Sequence, residues 1–364
     1  MHKTAAWPLA LLYSGLILYA SLYPFADWRN QGIDPWAYLT TPLSPYWTGF
    51  DVVINLVGYG PLGALLALGA VRSGQSHRVV LMATVCGLLL SLAMETVQNY
   101  LPTRVPSKVD LALNVAGTWA GAVGALLLER VGAIDHWSRL RARWFVPQAR
   151  GGLVLTATWP LALLFPAAVP FGLGQVLDRL QDALAADLVD TPFLTWLPGH
   201  RGSLQPLAPG AELACVFLGV LIPCLLVYCI ARGRLRRAGL ALLMVSVGAL
   251  TTALSSALSW GPQHAWAWAS VPAQVGLAAG TVVAVLMAWA PWRVSGALLL
   301  LALGLYLSLL NQAPESPYFS QTLQAWEQGR FIRFHGLAQW LGWLWPYATL
   351  AYVLTQVGRR DAKT

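Results

Sequence analysis

In METVQNYLPTRVPSKVDLALNVAGTWAG, residues 94–121, an otherwise apolar chain gathers acids, amides and cations. Glu95 and Gln98 stand three apart, so a helix puts them on one face. Arg104, Ser107 and Lys108 follow in a short polar stretch, and then Asp110 and Asn114 stand four apart, again on one face. Upstream, Asp51 and Asn55 repeat that last spacing. Such a set can do several kinds of chemistry. Two carboxylates can serve as general acid and base, or as nucleophile and acid, in glycosyl transfer. Close acids push one pKa upward and so keep one proton available at neutral pH. Three carboxylates can instead hold a hard cation, Mg²⁺ or Ca²⁺, against a pyrophosphate, because oxygen ligands suit such ions. Arg104 can clamp a phosphate through two parallel hydrogen bonds. On this reading Glu95 is the acid/base. Asp51 and Asp110 are its catalytic partners or metal ligands. Asn55, Gln98, Arg104, Ser107, Lys108 and Asn114 bind substrate.

A structural reading stands beside it. Asp51 and Asp110 can cap helices, for about 1 kcal/mol each. Glu95 can pair with Arg104, and the two Asn can join helices, for roughly 1 kcal/mol each. The crowding favours function, because desolvating several acids together costs more than capping returns.

The elements that would position these residues are membrane helices. The chain is 57% apolar and 10% charged, against about a quarter charged in a soluble domain. Its 18 Trp suit membrane–water interfaces. Stretches of about 20 apolar residues recur, roughly at 5–23, 52–71, 79–98, 110–128, 151–172, 211–231, 238–259, 271–290, 294–310 and 336–355. The expected fold is therefore all-α, a polytopic membrane protein of about ten helices. The net charge of +8 is an orientation signal rather than a nucleic-acid footprint. With both termini in the cytoplasm, Arg72, Arg78, Arg139, Arg141, Arg143, Arg232, Arg234, Arg236, Arg237, Arg359 and Arg360 all face inward, and most acids face out. The polar constellation then lies at the outer leaflet. The expected localisation is a bacterial plasma (inner) membrane. The first apolar stretch lacks a small-residue cleavage site and reads as a retained helix.

The longest cytoplasmic connection, 129–150, divides the chain into a four-helix part, 1–128, a basic linker, and a six-helix part, 151–364. Three outside segments, 24–50, 173–210 and 311–335, exceed simple turns; QVLDRLQDALAADLV in the second has the pattern of a surface helix. The repeated Asp-x-x-x-Asn-x-x-Gly at 51–58 and 110–117 hints at an internal repeat, with Gly58 and Gly117 letting neighbouring helices approach. Thr251, Thr252, Ser255, Ser256 and Ser259 read as helix-packing hydroxyls. His264 lies in a Trp cluster that suits an interface belt or sugar stacking. His200 and His335 read as structural. Cys86, Cys215, Cys224 and Cys229 fall within helices, with no metal spacing and no expected disulfide.

SLYPF at 21–25, GYGPLG at 58–63, Glu-x-x-Gln at 95–98, Arg-x-x-Ser at 104–107 and Asp-x-x-x-Asn-x-x-Gly at 110–117 together resemble the VanZ-like membrane proteins, over about residues 10–128. The resemblance implies a setting in the bacterial envelope and an association with teicoplanin resistance. It implies no particular reaction. Three functions remain open on this reading. One is an enzyme or modifying factor acting on a lipid-linked glycan or phospholipid head group, with membrane lipids and an envelope precursor as partners. Another is a lipid transporter or flippase, although the polar residues crowd one depth rather than the midplane where transporter sites lie. The third is a non-catalytic binder that alters glycopeptide susceptibility.

Overall fold

The computed structural model describes residues 6–23, 25, 27–42, 49–74, 78–197, 206–314 and 332–361 of the chain, without the side chains of Phe50, Asp51, Asp178, Arg179, Asp182, 332–337 and 357–361. The described residues are helical, with no strand beyond an isolated bridge between Phe145 and Ala231. The helices are α1 (Ala6–Leu22), α2 (Gly49–Arg72), α3 (Val79–Gln98), α4 (Lys108–Arg130), α5 (Ala133–Trp144), α6 (Arg150–Leu163), α7 (Leu177–Asp187), α8 (Pro209–Ile230), α9 (Arg234–Trp260), α10 (Val271–Met287), α11 (Trp292–Leu310) and α12 (Ile332–Asp361). Among described residues, stretches in six of them (α2, α3, α4, α8, α9 and α11) are long and apolar enough to cross a membrane; α1 and α10 are shorter apolar helices. The protein is an all-α membrane protein.

Helix α7 forms where the amphipathic pattern predicted a surface helix. One expected span is shorter than its apolar run. The stretch 151–172 is helical only to Leu163, because the chain then meets Pro166 and Pro170. A proline disfavours helical backbone in the residue before it and cannot donate to the helix itself.

The chain divides into two compact units, Met1–Arg139 and Leu140–Thr364. In the first, α2 and α4 pack backbone to backbone. A methyl group added at Gly121 would sit on the Gly60 carbonyl, one at Gly117 on the Leu56 carbonyl, and one at Gly63 on the Thr118 backbone. Without a hydrophobic drive between helices in lipid, such close approach is what holds them together. Thr118, fully buried, also fills the space beside Gly87 of α3. The 51–58 and 110–117 echo does not extend to packing: Gly117 meets a neighbour, but Gly58 faces open space.

In the second unit α8 is apolar all round and buried along most of its length, as expected of a central helix. α10, α11, α9 and α6 surround it, and α12 packs on α6. After α6 the chain runs without regular structure through Gln175, yet Val169, Phe171 and Leu173 are buried. Buried irregular backbone needs partners, and α11 and α12 supply them. The Tyr306 hydroxyl donates to the Phe171 carbonyl and accepts from the Leu173 amide. Asn311 Oδ1 accepts from the Leu177 amide at 3.3 Å. Pro346 has no amide hydrogen, so it leaves the Gly342 carbonyl without its helical donor; the Gly174 amide donates to that carbonyl instead, at 2.7 Å. Gly174 takes a left-handed backbone (φ 94°), as does Phe171 (φ 60°), a conformation rare for a bulky residue. Tyr306→Phe would remove both the donor and the acceptor that hold Phe171 and Leu173. The expected loss is about 2 kcal/mol, the cost of orphaning buried polar groups. Thermal unfolding in detergent checks it, and an unchanged melting temperature would refute this role for Tyr306.

Candidate functional site

The polar residues of 94–121 meet where α3 ends and α4 begins. Helix α4 starts two residues earlier than the apolar pattern alone suggests, at Lys108, because Ser107 caps it. The Ser107 side chain accepts from the Val109 and Asp110 amides at 3.1 and 3.4 Å. Asp110 is therefore not the cap. It stands half-buried in the first turn, where the helix dipole favours an acid. Asp51 likewise lies within the first turn of α2, which begins at Gly49; its side chain is outside the described residues.

Glu95 is buried, with 4% of its surface exposed. Its Oε2 accepts from the Ser107 amide at 2.8 Å, so one capping residue serves both the helix and the carboxylate. Arg104 is also buried and lies just before that turn. Its Nη2 donates to the Ala20 carbonyl at 3.3 Å and to the Tyr23 carbonyl, so it caps the C-terminal end of α1, a natural place for a cation. Gln98 Nε2 donates to the Ser21 carbonyl at 3.0 Å. Lys108 Nζ donates to the Thr41 carbonyl. Three residues read from sequence as substrate binders thus also hold the last turn of α1 and the chain segment that follows it.

That segment was not expected to join the site. It folds over the α3–α4 corner through paired contacts. Asn99 Nδ2 donates to the Pro35 carbonyl at 2.9 Å, and Gln31 Nε2 donates to the Asn99 carbonyl at 2.7 Å. The Arg29 amide reaches the Tyr100 carbonyl at 3.0 Å. Within the segment Tyr38 is buried, while Trp28, Ile33 and Trp36 are exposed, as interfacial aromatics are. The sequence signal was available: Ser91, Glu95 and Asn99 repeat at intervals of four, so they form one stripe on α3.

One turn below Glu95 on the same stripe lies Ser91, fully buried. Asn114 of α4 donates to its Oγ at 2.9 Å, and the Thr118 hydroxyl takes the Asn114 carbonyl at 2.9 Å. The inter-helix role foreseen for Asn114 is present, but it occupies only the amide nitrogen. Asn114 Oδ1 is buried without a hydrogen-bond partner. Tyr59 of α2 is buried, with its hydroxyl turned to that of Ser91 and Glu95 nearby. Asn55 stands one turn before Tyr59 on the same face of α2, half-buried. Ser91 and Tyr59 escaped the sequence reading because each, taken singly, looks like ordinary helix packing.

Among the described residues no three His, Cys, Asp or Glu are grouped to hold a metal ion; a set of Asp51, Glu95 and Asp110 depends on the side chain of Asp51. His264 Nδ1 meets the Trp260 carbonyl at 2.9 Å, a local contact at the end of α9. His200 and the side chain of His335 lie outside the described residues. The four cysteines are free.

Residues 7–129 match the family described as VanZ/LLP1. That stretch holds α1–α4 but for Ala6 and Arg130, and the whole of the site. Neither a curated protein nor a solved structure matches the chain significantly.

Proposed function

We propose, from the premise that this is a VanZ-like membrane protein over residues 7–129, that its first unit acts at the outer leaflet on the head group of a lipid-linked glycan or phospholipid of the bacterial envelope. The family association with the envelope and with antibiotic resistance supports the setting. The distribution of Lys and Arg supports an orientation with both termini in the cytoplasm, and with it a bacterial inner membrane. A reporter fused after residue 140 is expected to behave as cytoplasmic and one inserted near residue 195 as external; the reverse at either position refutes the orientation.

The observation that carries the reading is the pairing of a buried carboxylate with a buried acceptor lacking a partner, Asn114 Oδ1. A cluster built only to join helices would spend its polar atoms on one another, since an unsatisfied buried group costs about 1–3 kcal/mol. Here an acceptor remains for a bound hydroxyl or amide. In this proposal Glu95 is the acid/base. Asp51 and Asp110 are proposed as its catalytic partners, Asn55, Ser107 and Asn114 bind substrate, and Arg104, Gln98 and Lys108 hold the end of α1 and the covering segment against the head group. A second reading, binding without turnover, draws on the number of polar side chains committed to backbone carbonyls of residues 20–41.

The test is lipid identification by mass spectrometry on the purified full chain. The wild type is expected to retain an envelope lipid that Asn114→Ala loses at least tenfold more than Ser91→Ala, which breaks the same Asn114–Ser91 hydrogen bond but leaves Asn114 Oδ1 in place. Equal retention by all three proteins would overturn the proposal.

A further inference from the structure

The second unit carries buried polar atoms of its own. On α9, Gly248, Thr252, Ser255 and Ser259 follow at intervals of four, three and four, so they form one stripe. Its inner end touches the rings of Trp159 and Phe171, which a methyl group at Gly248 would strike. Its middle reaches the chain after α6, where the Ser255 hydroxyl donates to the Leu164 carbonyl at 2.8 Å. The ring of Trp268 stands edge-on to Phe171 at 5.7 Å and beside Trp266 at 6.1 Å. Thr252 and Ser259 are 8% and 7% exposed, yet Thr252 Oγ1, Ser259 Oγ and Trp268 Nε1 are buried without hydrogen-bond partners. A membrane-helix threonine or serine usually bonds back to its own helix, as Thr281 does to the Leu277 carbonyl. These do not.

We infer that the stripe Thr252–Ser255–Ser259, with Trp268, forms a second binding site, for a neutral, hydroxyl-bearing head group such as a glycosyl or glycerol moiety. The indole nitrogen only donates, so the ligand must bring an acceptor; the two hydroxyls can donate or accept. No Lys, Arg, Asp or Glu lies in residues 248–270 or 164–173, which leaves nothing there to balance a phosphate. Glu212, at the start of α8, is engaged by the Ser270 hydroxyl. Trp266, 60% exposed, offers an aromatic face of the kind that stacks on apolar faces of sugars. The site stands on residues of the second unit alone, independently of Glu95.

Native mass spectrometry of the full chain in detergent tests it. The probes are a monoglucosyl diacylglycerol, phosphatidylglycerol and free methyl glucoside. The wild type is expected to bind the glucosyl lipid at least tenfold more than phosphatidylglycerol. The double variant Thr252→Val, Ser259→Ala is expected to lose that preference, as is Trp268→Phe, chosen as a ring of similar shape without the donor. Binding of methyl glucoside alone would identify a soluble sugar as the source, and binding of the lipid alone a membrane glycolipid; either supports the site. Melting temperatures separate this from a packing defect. Removing orphaned hydroxyls from a site without a ligand raises stability, so a double variant that melts higher while glucosyl-lipid binding stays unchanged overturns the inference. So does equal binding of both lipids by the wild type.

Discussion

Gly121→Leu is expected to abolish the folded first unit, while Gly124→Leu on the same helix is tolerated. The difference is steric. A side chain at Gly121 would meet the carbonyl oxygen, carbonyl carbon and Cα of Gly60 on α2, whereas one at Gly124 meets nothing. Overpacking against side chains costs about 1–3 kcal/mol, because rotamers give way. Here the obstacle is backbone, and it can yield only if α2 and α4 separate. That separation would also undo the approach of Gly117 to Leu56 and of Gly63 to Thr118. The expected loss therefore exceeds about 3 kcal/mol, the upper end of the overpacking range. Size-exclusion behaviour and thermal unfolding of the two variants in detergent measure it. Equal melting temperatures for Gly121→Leu and Gly124→Leu would remove this contact as the clamp of the unit.

Glu95→Gln is expected to keep the fold and to eliminate the protein's effect on the envelope. Glutamine retains the shape of the side chain and an oxygen that accepts from the Ser107 amide, now at 2.8 Å from Oε2. Exchanging a charge-assisted for a neutral hydrogen bond costs on the order of 1 kcal/mol. The lost carboxylate cannot move a proton, and a positioned acid or base is worth about 10²–10⁴ in rate. A structural Glu95 that serves to offset the charge of Arg104 gives another pattern. Breaking a buried pair on one side costs about 3–5 kcal/mol, so Glu95→Gln would melt much earlier, and adding Arg104→Gln would restore part of the loss. Glycopeptide susceptibility of the cells and melting temperature, measured for the single and double variants, separate the two. A destabilised single variant rescued in both assays by the double variant refutes the acid/base role. A stable, inactive single variant without rescue supports it. Binding without turnover would instead leave Glu95→Gln stable and still active.

The membrane class and the places of most helices were legible in the sequence. Each depends on local properties, above all the length of the apolar runs and the polar residues at their ends. Helix α3 occupies the expected 79–98, because nothing but apolar length and a polar end was needed to define it. Where local chemistry intervened, the pattern misled. The proline pair beyond Leu163 ended α6 early, and the hydroxyl of Ser107 began α4 at Lys108. What the tertiary structure alone decided is which carbonyls the polar side chains meet. Arg104 finds the end of α1, more than eighty residues earlier, and Lys108 finds Thr41. A guanidinium or ammonium group bonds phosphate or backbone oxygen with similar ease, so residue type could not choose between them. The same holds for Asn114, and for Thr252, Ser259 and Trp268. A sequence states that these side chains carry hydrogen-bonding atoms, but only the packing of α2 on α4, and of α9 on the irregular chain after α6, determines which of those atoms are buried and left without a partner.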